Sequence, residues 1–285
     1  MKKILIQLDT DPLPSTFDRV VAVDSDVDEL FSYGGVNPDN VTSLVHGAMF
    51  TRGGDRLKNT AIFIGGSNVV AGEALLEKVQ SIFFGPVRVS ILMDSNGSNT
   101  TAAAAVLAAG KHVDLSQTTA LLLGGTGPVG QRAAQILTNL GATVRIGTRS
   151  AAKAEATCNA VRSKVEGAKV SAHETGSPAG LASAAEGVEM IIATGAAGIQ
   201  LLSAEQRSQI PSLKVAIDLN AVPPVGIEGI EVFDKAAEQN GAFCYGAIGV
   251  GGTKMKIHKA AVQKLFTAND LLLDTAAVFE IGQNL

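Results

Sequence analysis

The residues best suited to chemistry form a glycine-rich segment near the middle of the chain. It reads Gly125-Thr126-Gly127-Pro128-Val129-Gly130, after an apolar run at 119–124 and before a helical pattern of apolar residues. In a strand-turn-helix context the first glycine permits a tight turn, the second lets backbone N–H groups approach a pyrophosphate, and the third permits close packing. The segment predicts a dinucleotide site; a glycine-rich turn without a ligand is the alternative.

The residues after the next predicted strand indicate which dinucleotide binds. Thr148, Arg149 and Ser150 stand where an NAD site usually carries a carboxylate, and Lys153 follows one helical turn later. A guanidinium, a hydroxyl and an ammonium group suit a 2′-phosphate. The residues therefore predict NADP, with NAD as a weaker alternative. A solvated basic helix start is the other interpretation.

Two later loops are expected to complete the nicotinamide half of this site. Thr194, Gly195 and Ala196 follow one predicted strand, and Asn220 follows the next. Small residues let a flat ring lie against the backbone, and Asn220 offers hydrogen bonds to an amide or a ribose. The alternative for both segments is an ordinary loop that binds no ligand.

Composition limits the classes of protein that this chain represents. The 285 residues are 46% hydrophobic and 4% aromatic, which favours a globular α/β protein. A net charge of −4 provides no excess of positive charge to attract nucleic acid or an acidic membrane. The apolar run after Met1 is too short for a signal or a membrane span, so the cytoplasm is expected. Cys158 and Cys244 show no metal-ligand spacing, and we expect reduced thiols and no metal.

The elements that position the motif suggest two α/β domains with a cleft between them. Residues 1–112, joined by C-terminal helices at 253–285, are predicted to form a substrate domain, and 113–252 a Rossmann-type doubly wound parallel sheet. Strands are expected at Lys3–Leu8, Val20–Val23, Ala61–Ile64 and Val87–Met93 in the first domain. The glycine-rich stretch at 246–252 is expected to be a crossing before a helix that begins at about Thr253.

Three polar clusters in the first domain fall where loops are expected. They span Asp9 to Asp18, Thr51 to Asp55, and Asp94 to Thr101, each placed by the predicted strands at a carboxyl end. Ligands bind at that edge in open α/β sheets. Asp, Asn, Ser and Gly also build turns and helix caps, which is the alternative for each cluster.

At these residues the chain resembles the NADP-dependent methylenetetrahydromethanopterin dehydrogenases of methylotrophic and related bacteria. The resemblance covers nearly the whole chain, and its most specific parts are the Asp9 to Asp18 segment and the Asp94 to Thr101 string. It implies a two-domain subunit that forms homo-oligomers and oxidises the methylene group of a reduced pterin carrier to methenyl. Some members accept methylenetetrahydrofolate, and some use NAD as well as NADP.

The reaction that the resemblance implies requires no general base. A nitrogen lone pair can expel hydride from the methylene carbon directly, so the protein needs to orient the reactants, exclude water and place negative charge nearby. We predict Asp94 or Asp9 for the charge and Lys256 for a substrate or phosphate contact. The predicted substrate-binding residues are Asp11, Asn96, Ser98, Thr100, Thr101 and Lys254.

Two other functions are compatible with the sequence. A hydroxy-acid dehydrogenase of the shikimate type also places a substrate domain before a late fingerprint, and it relies on a lysine and an aspartate for proton transfer. A non-catalytic sensor that binds NADP is the third hypothesis. The sequence leaves the choice between methanopterin and folate open.

Overall fold

The computed structural model describes residues 1–285, the whole sequence. The strands are β1 Ile4–Asp9, β2 Glu29–Tyr33, β3 Thr60–Gly65, β4 Ser90–Met93, β5 Thr119–Leu123, β6 Thr143–Thr148, β7 Val170–Glu174, β8 Met190–Ala193, β9 Val215–Asp218, β10 Lys235–Gln239, β11 Ala242–Tyr245 and β12 Leu272–Leu273. The α-helices are α1 Thr16–Val23, α2 Thr42–Phe50, α3 Val69–Ile82, α4 Ser98–Ala109, α5 Pro128–Asn139, α6 Ala151–Lys164, α7 Pro178–Ala185, α8 Ala204–Ser208, α9 Ala247–Lys264 and α10 Thr275–Gln283.

The first of two compact units comprises Met1–Thr100 and Met255–Leu285. Its five-stranded sheet has the order β12-β4-β3-β1-β2, and all neighbouring strands are parallel. Every residue of β3 is buried, as is usual for a parallel strand covered on both faces. The core of the unit includes Leu8, Ile62, Ile64, Leu75 and Met49. The carboxyl ends of β1, β3 and β4 therefore lie side by side at one edge.

The second unit comprises Thr101–Lys254 and holds a seven-stranded sheet in the order β10-β11-β9-β8-β5-β6-β7. The six strands from β11 to β7 are parallel, and β10 is added antiparallel at one edge. If the parallel strands are numbered along the chain from β5 as the first, the sheet read from β7 to β11 has the order 3-2-1-4-5-6. This is the order of a doubly wound dinucleotide-binding sheet. The predicted fold class is confirmed.

One strand was predicted wrongly in the first unit. Residues Val20–Val23, which were expected to be a strand, form the second half of α1. Ser15 caps this helix, because its side chain accepts a hydrogen bond from the Asp18 N–H at 3.2 Å. A short run of β-branched residues does not distinguish strand from helix, and here the cap decides. The true second strand, β2, has only partly buried and exposed residues and gave no clear pattern.

The glycine-rich stretch near the C-terminus is helical from Ala247, and the chain returns from the second unit to the first within this helix, after Lys254. Helix α9 begins at Ala247, six residues before the predicted start. A methyl group at Gly246 would lie 2.0 Å from the carbonyl oxygen of Glu231, and one at Gly249 1.8 Å from that of Asp234. These glycines therefore allow the first turn of α9 to touch a neighbouring backbone. None of the helices is long and apolar enough to cross a membrane.

Candidate functional site

The glycines in and directly before the Gly125–Gly130 segment, the fingerprint, have distinct structural roles. Gly124, directly before it, has a φ of 65°, and a methyl group there would lie 2.5 Å from the Cα of Gly195. A methyl group at Gly130 would lie 2.6 Å from the Cα and O atoms of Gly125, so helix α5 and the turn after β5 are in backbone contact. At Gly127, by contrast, no atom lies nearer than 3.7 Å to that position. The backbone is closely packed around the motif and open at its second glycine.

Helix α5 begins at this open position. Gly127 is its N-cap residue and Pro128 its first residue, where the missing N–H of proline breaks no hydrogen bond. Thr126 and Val129 are partly exposed beside it, and the Thr126 carbonyl accepts a bond from the Gln131 side chain at 2.8 Å. The N-terminus of a helix carries a partial positive charge and unpaired N–H groups, which suit an anionic ligand.

The residues after β6 combine a helix cap with two unpaired cations. The Ser150 hydroxyl accepts a hydrogen bond from the Lys153 N–H at 3.4 Å and so caps α6. Arg149 and Lys153 are exposed, and neither side chain forms an ion pair. Thr148, at the end of the strand, is partly buried. This arrangement leaves a guanidinium and an ammonium group available for an anion.

The predicted nicotinamide loops are held by internal contacts. The Thr194 hydroxyl donates to the Leu123 carbonyl at 3.3 Å, and Gly195 packs against Gly124, whereas Ala196 is exposed. Asn220 is buried; its side chain donates to the Pro224 carbonyl at 3.3 Å and accepts from the Val222 N–H at 3.0 Å. Asn220 therefore shapes a turn that contains the cis peptide bond Pro223-Pro224.

A buried carboxylate anchors the same loop. Asp218 accepts the N–H groups of Asn220 at 3.0 Å and Ile227 at 2.8 Å. Burial raises the pKa of this carboxyl group above its usual value, and the hydrogen bonds from the backbone oppose that change. This anchoring role was not predicted from the sequence, although aspartate side chains commonly hydrogen-bond the backbone of a nearby turn.

In the first unit, Asp9 fixes the loop after β1. Its side chain is fully buried and accepts the N–H groups of Asp11 at 2.9 Å and Ser15 at 3.0 Å. Asp11 in turn accepts the N–H and the hydroxyl of Ser67, both at 2.9 Å, which ties the loop after β1 to the loop after β3. Asp18 approaches the same place: a methyl group at Gly65 would lie 3.1 Å from Asp9 Oδ2 and 3.6 Å from Asp18 Oδ2.

Asp94 has a similar position after β4. Asp94 Oδ1 accepts the N–H groups of Asn99 at 2.8 Å and Thr100 at 3.1 Å, and its Oδ2 accepts the Thr100 hydroxyl at 2.6 Å. These bonds satisfy two of the N–H groups in the first turn of α4. Asp94, Ser98 and Thr100 are buried, while Thr101 is partly exposed.

Asn96 differs from its neighbours in the Asp94 to Thr101 string. Its side chain is exposed, and its backbone is left-handed with a φ of 55°. Its N–H donates to the Gly66 carbonyl at 2.7 Å, which links the loops after β3 and β4. The loops after β1, β3 and β4 are thus joined at one edge, with the side chain of Asn96 facing outward.

The lysines predicted from the C-terminal segment lie on α9. Lys256 is exposed and Lys254 partly exposed. His258, two residues later, is buried and stacks on Phe63 of β3, with ring centroids 5.7 Å apart. The histidine therefore packs in the core of the first unit.

One polar cluster lies at the wrong edge for a ligand site. Residues Thr51 to Asp55 follow α2 and precede β3, so they stand near the amino end of that strand. Arg52 donates to the Asn59 carbonyl at 2.6 Å and to the Thr60 hydroxyl at 3.1 Å. The prediction that this cluster follows a strand is wrong, because the preceding strand, β2, ends at Tyr33 and α2 lies between them.

Comparison with solved structures finds the same fold at low identity. Shikimate 5-dehydrogenase from Listeria monocytogenes superposes with a TM-score of 0.56 and 15% identity, over 98% of this chain and 96% of that chain. Quinate dehydrogenase from Corynebacterium glutamicum gives a TM-score of 0.55 and 12% identity, over 100% and 99%. At these identities the similarity concerns the fold alone.

Sequence comparison identifies the family. Residues 16–96 match the family described as methylene-tetrahydromethanopterin dehydrogenase, N-terminal. The chain is 31% identical to the NAD(P)-dependent methylenetetrahydromethanopterin dehydrogenase of Methylorubrum extorquens, over 94% of this chain and 93% of that protein. It is 42% identical to the bifunctional protein MdtA of the same organism, over 100% of this chain and 99% of the relative. The chain belongs to the methylenetetrahydromethanopterin dehydrogenase family.

Proposed function

We propose that the protein transfers hydride from the methylene group of methylenetetrahydromethanopterin to NADP, which yields the methenyl form of the pterin. The observation that carries the proposal is the 31% identity, over 94% of this chain, to a protein named as an NAD(P)-dependent methylenetetrahydromethanopterin dehydrogenase. The open backbone at Gly127, beside the start of α5, supports a dinucleotide as the second reactant.

The reaction needs no proton acceptor. The methylene carbon lies between two nitrogens, and a lone pair on one nitrogen forms a C=N bond as the C–H electron pair leaves as hydride. The product is a delocalised amidinium cation. The bound nucleotide supplies the hydride acceptor. The protein has to hold the two reactants in contact, exclude water and stabilise the developing positive charge.

The nucleotide is proposed to bind at the strand ends of the second unit. Backbone groups of Gly125, Thr126, Gly127, Pro128, Val129 and Gly130 contact the pyrophosphate. Thr148, Arg149, Ser150 and Lys153 receive the 2′-phosphate; the Ser150 hydroxyl accepts its capping bond and still has its own hydrogen to donate. Thr194, Gly195, Ala196 and the turn shaped by Asn220 lie against the nicotinamide half. NAD binds the same place more weakly.

The pterin is proposed to bind at the joined loops of the first unit. Asp9 and Asp94 are both buried and held by backbone N–H groups, so they act by their charge and by fixing the loops. Asn96 is the outward-facing group. Asp11, Ser98, Thr100 and Thr101 shape the surface around it, and Lys254 and Lys256 contact the substrate. We also propose methylenetetrahydrofolate as an alternative carrier, a homo-oligomeric assembly and a cytoplasmic location.

The test is to add each substrate with NADP to the purified full-length chain and follow NADPH absorbance. Reduction of NADP by methylenetetrahydromethanopterin supports the proposal. Reduction only with a hydroxy acid contradicts it and favours a shikimate-type enzyme, and tight NADP binding without turnover of any substrate favours a sensor. Repeating the assay with methylenetetrahydrofolate and with NAD ranks the carriers and the nucleotides.

A further inference from the structure

A carboxylate lies beside the proposed 2′-phosphate pocket, although the sequence around β6 contains none. Glu174 ends β7 and is the register partner of Thr148 on the adjacent β6. The Thr175 N–H donates to the Thr148 carbonyl at 2.9 Å, so the carboxyl ends of β6 and β7 lie side by side. An NAD site carries its acidic group after the second strand of the sheet, whereas Glu174 stands at the end of the third, β7.

The position of the Glu174 carboxylate is fixed by its own loop. Glu174 Oε1 accepts the Gly176 N–H at 2.5 Å, and Oε2 accepts the Ser177 hydroxyl at 3.1 Å. A methyl group at Gly176 would lie 2.5 Å from Glu174 Oε1 and 3.3 Å from the Cγ of Arg149. The carboxylate and the arginine therefore flank one small residue, yet they form no ion pair with each other.

We propose that Glu174 reduces the preference of this enzyme for NADP over NAD. Its negative charge repels the 2′-phosphate dianion that Arg149 attracts, and it has no comparable effect on the 2′-hydroxyl of NAD. The residue thus weakens NADP selectively and leaves room for NAD. This inference rests on the proposed nucleotide site.

The test measures binding of two fragments that differ only in the phosphate group. ADP-ribose and 2′-phospho-ADP-ribose are titrated calorimetrically into the full-length wild type and Glu174→Gln. Glutamine keeps the size of the side chain and an oxygen that accepts the Gly176 N–H. We expect the variant to bind the phosphorylated ligand about two- to five-fold more tightly at low ionic strength, with ADP-ribose unchanged, since the carboxylate is exposed and screened. The gain should shrink as salt is added.

Two control variants separate charge from loop structure. Glu238→Gln removes an exposed carboxylate from β10, at the opposite edge of the same sheet, and should leave the affinity ratio of the two ligands unchanged. Ser177→Ala removes the hydroxyl that bonds Glu174 and caps α7, but it keeps the charge. A change of the ratio in Ser177→Ala as large as in Glu174→Gln would overturn the inference in favour of loop geometry.

Arg149→Gln separates failure of this inference from failure of the site. If it lowers the preference for the phosphorylated ligand while Glu174→Gln leaves that preference unchanged, the nucleotide site is right and the role of Glu174 is wrong. If neither variant changes the preference, the 2′-phosphate pocket itself is misplaced.

Discussion

The strand ends of the two units are built in different ways, except for the loop after β9, where Asp218 accepts backbone N–H groups as Asp9 and Asp94 do. At the edge of the first sheet, Asp9 and Asp94 are buried and accept backbone N–H groups, so the loops are held by side chains. At the edge of the second sheet, Gly127 leaves its surroundings open, and Arg149 and Lys153 have no ion-pair partner. At the first edge, hydrogen bonds fix the positions of the loops. At the second edge, glycine leaves space for a ligand.

This difference suggests that each edge suits its proposed ligand. A pyrophosphate needs close backbone N–H groups, and only the absence of side chains provides them. A large, neutral ring system with a developing positive charge needs a firm surface and a fixed negative field. The comparison predicts different consequences for substitutions at the two edges.

The largest effect is expected at the fingerprint glycines. Gly130→Ala should destabilise the fold by about 2–4 kcal/mol, because its methyl group meets backbone atoms of Gly125. Gly127→Ala has free space and should fold normally, but we expect its NADP affinity to fall at least about ten-fold. Thermal unfolding without ligand and calorimetric titration with NADP measure the two properties. Wild-type affinity in Gly127→Ala would remove the basis for a phosphate site there.

A smaller but mixed effect is expected for Asp94→Asn. The variant weakens three hydrogen bonds at the start of α4, so the free energy of unfolding should fall by about 1–3 kcal/mol. Hydride transfer should slow at least about ten-fold, since the negative charge is lost. NADP affinity should stay within about two-fold.

The control for this experiment is Asp114→Asn, an exposed aspartate that holds a turn through Ser116 and belongs to neither edge. Its hydride-transfer rate should match that of the wild type. An unchanged rate in both Asp94→Asn and Asp9→Asn would show that the first edge is not the substrate site.

Asn96 tests whether the first edge contacts substrate through an exposed group. Asn96→Gly keeps the left-handed backbone and removes only the side chain, whereas Asn96→Ala adds strain of about 1 kcal/mol. Both should raise the KM for the pterin several-fold, and only the alanine variant should lower Tm. Equal KM values in wild type and Asn96→Gly would limit Asn96 to a role in the backbone turn.

The smallest effect concerns Asp218, a carboxylate that anchors a loop at the second edge. Because burial raises its pKa in the folded state, the folded protein binds more protons than the unfolded chain above a pH of about 4. Stability contributed by its protonation is therefore gained as the pH falls through the folded pKa and lost as the pH rises. The difference in unfolding free energy between wild type and Asp218→Asn should move in favour of the wild type from pH 7 towards pH 4. Urea denaturation at several pH values measures it, and the opposite trend would contradict the assignment.

The sequence predicted the second unit better than the first. The fingerprint, the apolar strands beside it and the glycine contact between Gly125 and Gly130 all follow from local pattern. The strand at Val20–Val23 was wrong because a short run rich in valine does not distinguish strand from helix, and β2 was missed because its residues are only partly buried or exposed. The hairpin of β10 and β11 was also missed, although its turn, Asn240-Gly241, with positive φ at both residues, is a strong local hairpin signal.

The sequence predicted which polar residues lie at the strand ends, but not how they are arranged. Asp9 and Asp94 are at strand ends as expected, yet only the structure reveals which N–H groups they accept. Glu174 was not found because it lies beside the proposed 2′-phosphate pocket on a neighbouring strand, 25 residues after Arg149. Gly246 and Gly249 precede the predicted start of the helix, whereas in the structure their small size permits contact between α9 and the segment before β10.

The loops tied together by Asp9, Asp11 and Asn96 have an energetic consequence for recognition. Their backbone is already ordered when the chain folds, so a molecule that docks there removes little further conformational freedom from the protein. The entropy of association at this edge is then governed by the flexibility of the incoming molecule and by the water it displaces. A rigid ring system is the kind of molecule for which such a surface is most favourable.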